Sequence, residues 1–462
     1  MLTPRLALLA ITALITTSLV ASRAEANGAY THAHISQLAH AMLPPGELRT
    51  LFEDPALVHA YECGSLFPDS GYAVGDDYGE LAHWEAFLDA YIVDLRARYG
   101  SDYSSEPARL EVAFLLGVAS HGMADQSYDT TLLARAIEVD GPEPESVSVD
   151  QYADYFLLDH DVSFTVEAWA PYTRLPAVIA SASGGHAVSE DLLMEAMDRM
   201  ATVTRVQSDS PISRSLYWTA WESFPFLGTH LYNDQALGSL PWLASMIAEY
   251  WQVVWRRLHG TDDVDADLVI RTAPADGGEN FPIDRSETEA WGRVAIFFGY
   301  AVLRDATAPL ITLQNEAGAT IPFTLESAYN GQDRNLIFVV PSEPLAYDSI
   351  YTVELAAGVT TISGRVTSAP FLFSFRTRCA PDSLGDCPPL DPPLVTGPIP
   401  TRPGRRDAGP PRDAGSDAGP PLSAGGCAVS APRRGSPWLP ALALGALFVL
   451  SLHRRPPVSQ RP

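Results

Sequence analysis

Residues 113–125 read AFLLGVASHGMAD and set the character of the N-terminal half of the chain. The apolar run at the start of this stretch is typical of a helix buried in a protein core. His121 and Asp125 lie four residues apart, so their side chains project from one face of that helix. Imidazole nitrogen and carboxylate oxygen are both zinc ligands. The stretch therefore predicts a buried helix with one pair of candidate metal ligands, and Gly117 on it permits close approach of another backbone or of a metal.

Helical periodicity continues on both sides of this stretch. Between residues 27 and 262, apolar side chains recur three to four positions apart, which is the spacing of one helix face. Clusters of Gly, Pro, Asp and Ser separate these segments and mark loops. The region is therefore predicted to be an all-α domain. Its predicted helices include Leu81–Tyr99, Leu110–Ala124, Val149–Trp169, Ser189–Val206 and Leu240–Leu258.

Residues 270–378 have a different pattern, with short β-branched and aromatic stretches between turn residues. About 100 residues are enough for a seven-stranded sandwich. The opening Pro274-Ala275-Asp276-Gly277 and the closing Phe373-Ser374-Phe375-Arg376-Thr377 resemble the bacterial Ig-like domain of surface-layer and cell-wall proteins. The predicted fold class is thus multidomain, an all-α domain followed by an all-β Ig-like sandwich. The predicted strands are Leu336–Pro341, Tyr351–Leu355, Val359–Ile362 and Phe371–Arg376.

The start of the chain carries an export signal. Residues 1–26 are predicted to be a signal peptide, because Arg5 precedes an apolar core over Leu6–Val20 and Ala24-Glu25-Ala26 forms a small-x-small cleavage site. Cleavage there leaves Asn27 as the mature N-terminus. The protein is therefore expected to be secreted.

The end of the chain is predicted to be a linker and an anchor. Residues 379–435 are rich in Pro, Gly and Asp, a composition typical of a disordered linker. At its start, Cys379 and Cys387 can close a small disulfide loop in an oxidising compartment.

Residues 436–453 are predicted to be a C-terminal hydrophobic helix, either transmembrane or a sorting signal. With Cys427 before it and the Arg454-Arg455 pair after it, this region resembles the myxobacterial type of C-terminal sorting tail, which implies processing at Cys427. A plain single-pass anchor is the alternative. Both interpretations tether the protein to the membrane at the cell surface or outer membrane.

Charge composition excludes several classes of function. The 30 basic residues are all arginine, against 56 acidic residues and a net charge of −26. A chain without lysine has no phosphate-loop lysine and no lysine Schiff base. Its acidic excess repels nucleic-acid backbones, so no nucleic-acid partner is expected.

Further candidate ligands precede the 113–125 helix, at His32, Asp69 and His83. With Tyr30-Thr31-His32 and Phe67-Pro68-Asp69, they make residues 28–170 resemble the zinc-dependent phospholipase C family, whose helical domain also occurs in glycosylphosphatidylinositol-specific phospholipase D. The resemblance implies a centre of two or three zinc ions that binds a lipid phosphate and activates water. It implies that one zinc is held by His32 and Asp125, and a second by Asp69, His83, His121 and Asp125. Asp69 would also be catalytic and orient the attacking water.

The chain departs from the family pattern after Asp125. The family has a histidine near the position of Asp129, and a His-x-x-x-Glu pair where this chain has Asp150 and Asp154. These three carboxylates are the candidate ligands of a third position. That position is carboxylate-rich, holds another metal, or is empty.

The resulting hypothesis is a secreted, surface-tethered phosphodiester hydrolase that acts as a phospholipase C on phospholipid headgroups or another phosphate ester. Two alternatives stay open. One is an enzyme like the single-strand-specific zinc nucleases. The other is a non-catalytic surface binding or adhesion protein with a degenerate metal site.

Overall fold

The computed structural model describes residues 28–142, 149–157, 162, 165–207, 211–381 and 387–393. The predicted signal peptide, the C-terminal helix over 436–453, Cys427 and most of the linker lie outside these described residues. Within them, no helix is both long and apolar enough to cross a membrane.

The N-terminal part of the described chain is helical, as predicted. Its α-helices are α1 (Ala29–Met42), α2 (Glu47–Leu51), α3 (Pro55–Val74), α4 (Tyr78–Ala82), α5 (Glu85–Tyr99), α6 (Glu106–Tyr128), α7 (Ala134–Asp140), α8 (Val149–Phe156), α9 (Leu175–Ser183), α10 (Glu190–Gln207), α11 (Pro211–Ser223), α12 (Pro225–His230), α13 (Leu240–His259) and α14 (Val264–Asp267). A π-helical turn at Asp129–Leu133 joins α6 to α7.

Two of the predicted helices differ from the observed ones. The prediction Val149–Trp169 is wrong beyond α8, because residues 165–170 are not helical. They run between α3 and α10, where the Glu167 carbonyl accepts a hydrogen bond from the Cys63 thiol. Pro171 also disfavours a helical residue before it. The predicted helix Leu81–Tyr99 is interrupted instead of continuous, since Trp84 is extended (φ −111°, ψ 159°) and separates α4 from α5.

The C-terminal part of the described chain is a sandwich of two four-stranded sheets. Their orders are β1-β3-β6-β5 and β2-β8-β7-β4. The strands are β1 (Val269–Ala273), β2 (Gly278–Phe281), β3 (Val294–Leu303), β4 (Ile311–Asn315), β5 (Phe323–Ser327), β6 (Asp333–Pro341), β7 (Ile350–Leu355) and β8 (Phe371–Thr377). Between β3 and β4, the chain forms a helical turn at Arg304–Thr307.

The strand predictions contain one error, and they omit β1 to β5, five of the eight strands among the described residues. Val359–Ile362 is not a strand of either sheet and makes only isolated bridges, such as Thr360 with Val366, between turns at Gly358 and Gly364. The longest omitted strand is β3, which is buried on both faces over nine of its ten residues. A strand buried on both faces lacks the apolar–polar alternation that reveals a half-buried one.

The burial of β3 shows that the sandwich packs directly on the helices. Val294, Ile296 and Phe298 belong to the core between the two sheets. Ala295 and Phe297 point the other way, into the core of the helical domain. The side chains of β6 likewise alternate between the core of the sandwich and the core of the helical domain. The two domains therefore share apolar packing over one face of the β1-β3-β6-β5 sheet.

The disulfide predicted at the start of the linker is present between Cys379 and Cys387. Beyond it, the chain returns to the helical domain, where Asp391 receives both a 2.9 Å and a 2.8 Å hydrogen bond from Arg135. The first residues of the predicted linker are therefore packed against the protein.

Candidate metal centre

Helices α3 and α6 build the centre because their backbones touch. A Cβ on Gly117 would lie 2.0 Å from the Tyr61 carbonyl oxygen, and one on Gly64 would lie 2.1 Å from the Phe114 carbonyl oxygen. Only glycine leaves room for such contact. The close approach predicted at Gly117 is thus confirmed, and it brings α6 ligands beside Asp69 of α3.

Four side-chain atoms converge at this contact. His83 Nε2 and His121 Nε2 are 2.9 Å apart. Each lies 3.3 Å from Asp125 Oδ2. Each also lies 3.6 Å from Asp69 Oδ1. Among the described residues, the groups able to hold a metal are His83 with His121 and Asp125, and His32 with Asp69 and His121. Residues distant in the sequence are therefore brought together as the resemblance implied.

Backbone carbonyls orient both imidazoles. His121 Nδ1 lies 2.7 Å from the Ser65 carbonyl oxygen, and His83 Nδ1 lies 2.6 Å from the Gly79 carbonyl oxygen. Carbonyls only accept, so each Nδ1 carries a proton, and each ring in its neutral form presents the lone pair of its Nε2 to the centre. This second hydrogen bond is the usual support of a metal-binding histidine.

The four atoms fit a zinc ion. Zinc–ligand bonds of about 2.0–2.2 Å in tetrahedral geometry place neighbouring ligand atoms about 3.3–3.6 Å apart. The observed separations of 3.3 Å and 3.6 Å match, and only the 2.9 Å contact between the two Nε2 atoms is shorter. Asp69 Oδ1 is buried and has no hydrogen-bond partner among the described residues. A cation would neutralise this oxygen and separate the two facing lone pairs.

His32 lies beside these four atoms and defines a second candidate position. Its ring stacks on that of His121 at a centroid distance of 3.7 Å. Its Nε2 is 3.1 Å from Asp125 Oδ1, the oxygen that does not face His83. Asp125 therefore presents one oxygen to each position, the arrangement of a bridging carboxylate in a two-metal site.

Burial and neighbouring charges shift the ionisation of these groups. Burial lowers the pKa of His83, but the nearby carboxylates of Asp125 and Asp69 outweigh it and raise that pKa to about 10. Burial and the charge of His32 lower the pKa of His121. Burial opposes ionisation of Asp125, yet His121 and His32 hold its pKa well below the ordinary value. Because metal ligands must be deprotonated, a cation competes with a proton for His83.

The four side chains of the centre are all buried, to slightly different degrees. His121 and Asp125 are 0% and 1% exposed, whereas His83 and Asp69 are 6% and 8% exposed. Asp69 and His83 are thus the more exposed members of the cluster, and Tyr72 packs its ring against His83 at a centroid distance of 5.4 Å.

The carboxylates predicted for the third position are not all brought to this cluster. Asp129 receives a 2.6 Å hydrogen bond from the Tyr329 hydroxyl of the Ig-like domain. The side chain of Asp150 lies outside the described residues. Asp154 is buried, and it accepts hydrogen bonds from the α1 backbone at Tyr30 (3.3 Å) and Thr31 (2.8 Å) and from the Thr31 hydroxyl (2.8 Å). Asp154 thus caps α1, the helix that carries His32.

The Asp154→Asn variant tests whether Asp154 caps α1 or binds a metal ion. The asparagine side chain would keep one acceptor oxygen for Thr31, so the Asp154→Asn variant is expected to lose about 1 kcal/mol of stability, as for a weakened helix cap. Its zinc content per chain is expected to equal that of the wild type, measured by atomic emission. The control is Asp191→Asn, at an exposed position. If Asp154→Asn lost one zinc per chain and this control did not, Asp154 would be a metal ligand.

Sequence reasoning missed the groups that support the ligands. The carbonyls of Ser65 and Gly79 orient the imidazoles, and backbone acceptors carry no sequence signal. Gly122 is a third close contact, since its Cβ would lie 2.0 Å from the His83 carbonyl oxygen. The sequence shows Gly122 directly after the candidate ligand His121, but it does not show that Gly122 contacts His83.

Comparison with known proteins supports both predicted domains. Residues 263–377 match the family model described as bacterial Ig-like domain, which confirms that prediction. Mouse phosphatidylinositol-glycan-specific phospholipase D is 25% identical over 260 residues, covering 53% of this chain and 31% of that protein. The rat protein of the same name is 23% identical over 287 residues, covering 58% and 34%. The bovine one is 33% identical over 109 residues, covering 22% and 13%.

These matches make the chain a distant homologue of phosphatidylinositol-glycan-specific phospholipase D, and the chain spans about a third of the length of the mouse and rat relatives. Among solved structures, the N-terminal part of the bacterial S-layer protein SbsC aligns over 72% of this chain and 79% of that one, at 12% identity. Its TM-score of 0.18 is too low to indicate a shared architecture.

Proposed function

We propose that this protein is a zinc-dependent phosphodiester hydrolase that acts on phospholipids as a phospholipase C outside the cell. The observation that carries the proposal is the convergence of His83, His121, Asp69 and Asp125 with separations of 2.9–3.6 Å. The distant homology to a phospholipase favours a phospholipid as substrate. The Ig-like domain is compatible with an extracellular location.

Hydrolysis of a phosphodiester needs a nucleophile, charge neutralisation and a leaving group. Zinc bound at the centre would supply Lewis-acid polarisation of the phosphoryl oxygens and generate a nucleophile from water at neutral pH. In a phospholipase C reaction, the oxygen of water attacks phosphorus and the bond from phosphorus to the diacylglycerol oxygen breaks. The products are diacylglycerol, which takes up a proton, and the phosphorylated headgroup.

The residues of the chain have separable roles in this reaction. His83 and His121 hold the cation, and their carbonyl partners keep the Nε2 lone pairs aimed at it. Asp69 is the more exposed of the two carboxylates, and we assign to it the roles of orienting the attacking water and accepting its proton. Asp125 stays ionised and joins the two candidate metal positions.

Metal analysis combined with product analysis tests the proposal. The secreted protein is expected to contain at least one zinc per chain and to release diacylglycerol from phosphatidylcholine and phosphatidylinositol vesicles. Release of phosphatidate instead would show cleavage on the headgroup side, the bond that a phospholipase D breaks. A chelator should abolish turnover, and zinc should restore it.

The same assay decides between the alternative functions. Hydrolysis of single-stranded DNA without hydrolysis of lipid would favour a nuclease. Less than one zinc per chain and no turnover on either substrate would contradict an enzymatic role and favour a binding protein.

A further inference from the structure

The Ig-like domain contacts the helical domain next to the metal centre. Strand β6 begins at Asp333, and its first residues lie against the segments that carry His83 and Asp125. These contacts differ from the apolar packing of β3, because they are made by hydrogen bonds and ring stacking to residues adjacent to the ligands.

Asn335 connects the two ligand-bearing segments. Its backbone N–H donates to Gln126 Oε1 at 3.0 Å, and Gln126 directly follows Asp125. Its side-chain Nδ2 donates to Glu85 Oε2 at 3.3 Å, two residues after His83. Asn335 is only 4% exposed, so both hydrogen bonds are shielded from water. One residue of the Ig-like domain thus spans the start of α5 and the end of α6.

Both partners of Asn335 are themselves held in place. Gln126 Nε2 donates to the Gly122 carbonyl at 3.1 Å, so its amide is fixed at both ends. Glu85 Oε2 accepts a 2.9 Å hydrogen bond from the Tyr250 hydroxyl, and Glu85 Oε1 lies 2.6 Å from Arg257. Glu85 and Gln126 therefore have little freedom to move, so Asn335 holds the two segments that carry His83 and Asp125 in fixed positions.

Arg334 holds the residue next to His83. Its guanidinium carbon lies 3.7 Å from the centroid of the Trp84 ring, a close cation–π contact. Tyr329 packs edge-on against the same ring at 5.7 Å. The Trp84 indole N–H donates to Glu80 Oε1 at 2.7 Å, which fixes the other end of the ring.

The backbone at His83 needs this support. His83 follows the five-residue helix α4 and Trp84 is extended, so no regular helix continues through the ligand. A metal ligand must be held within about 0.5 Å of its productive position. Contacts from outside the helical domain supply the rigidity that a continuous helix would give.

We infer that Asn335 and Arg334 of the Ig-like domain are positioning residues of the metal centre, acting through Glu85 and Gln126 and through Trp84, respectively. The Ig-like domain is then a structural part of the hydrolytic unit and not a detachable spacer. The inference rests on the proposed function, because it requires metal at His83 and Asp125.

Zinc affinity and the visible spectrum of the cobalt-substituted protein test this role. Asn335→Ala and Arg334→Ala are expected to weaken zinc binding by less than the roughly 10- to 100-fold that loss of a direct hydrogen-bond partner of a ligand costs. Both should also change the intensity or position of the Co²⁺ d–d bands, which report coordination geometry. The control is Arg376→Ala, since Arg376 lies in β8 of the same domain and forms an ion pair with exposed Asp348 at 3.2 Å. It should change neither property.

Each result bears on the inference. Unchanged zinc affinity and an unchanged cobalt spectrum in both variants would overturn it, while the wild-type metal centre and the proposed function would stand. A wild-type protein that binds neither zinc nor cobalt would overturn the proposed function, and this inference with it. If Asn335→Ala does not fold, Arg334→Ala alone decides, because it removes a ring contact without opening the buried site of Asn335.

Discussion

Replacing His121 with alanine is expected to lower phosphodiester hydrolysis by more than about 100-fold, since even the loss of an outer-shell partner costs 10–100-fold in metal affinity or activity. His121 is fully buried, faces Asp69, His83 and Asp125, and stacks on His32. Its removal takes a ligand from the first candidate metal position and removes the ring that packs against His32 at the second. Zinc content per chain should therefore fall together with turnover, measured by metal analysis and by diacylglycerol release.

A matched control for this variant is His186→Ala. His186 forms a 2.7 Å ion pair with Asp76 and is about a third exposed, away from the cluster. This variant should retain zinc and activity. Folded His121→Ala protein with wild-type zinc content and turnover would refute the assignment of the site.

Replacing Arg257 with methionine is expected to destabilise the protein by about 3–5 kcal/mol, the cost of removing one partner of a buried ion pair. Arg257 is 3% exposed and lies 2.6 Å from Glu85, with Asp89 as its second carboxylate partner. Burial and Glu85 raise the pKa of Asp89 to about 6, even though Arg257 opposes the shift. Arg257→Met leaves these two carboxylates without their cation.

Urea unfolding followed by circular dichroism measures this loss. The deficit should shrink below pH 6, because carboxylates whose folded-state pKa is raised take up protons preferentially in the folded protein as the pH falls. Arg376→Met, on the exposed side of the sandwich, should change stability by less than about 1 kcal/mol. An Arg257→Met protein as stable as this control would show that the buried ion-pair network contributes little to folding stability.

Much of the candidate site was predictable from the sequence because its residue types are rare in buried helices. His121 and Asp125 stand in an apolar stretch with helical spacing, and the structure buries both. Their grouping with Asp69 and His83 came from the family resemblance. Periodicity gives the face of each helix and leaves open which helices meet.

The parts that could not be predicted depend on tertiary contacts. Trp84 interrupts a helical pattern because the chain must turn for His83 to meet α6, and no Gly or Pro marks that break. Asp154 has the spacing of a ligand, but its hydrogen bonds go to the N-terminus of α1. Asn335 lies more than 200 residues from its partner Gln126, so its contact with the centre exists only in the folded chain.

Anomalous diffraction at the zinc edge, from crystals of the protein grown with zinc, tests the central claim most directly. We expect a peak within about 2.0–2.2 Å of His83 Nε2, His121 Nε2 and one oxygen each of Asp69 and Asp125. A second peak between His32 and Asp125 Oδ1 would mark the other candidate position. Zinc-replete crystals in which no peak lies among these four side chains would contradict the account.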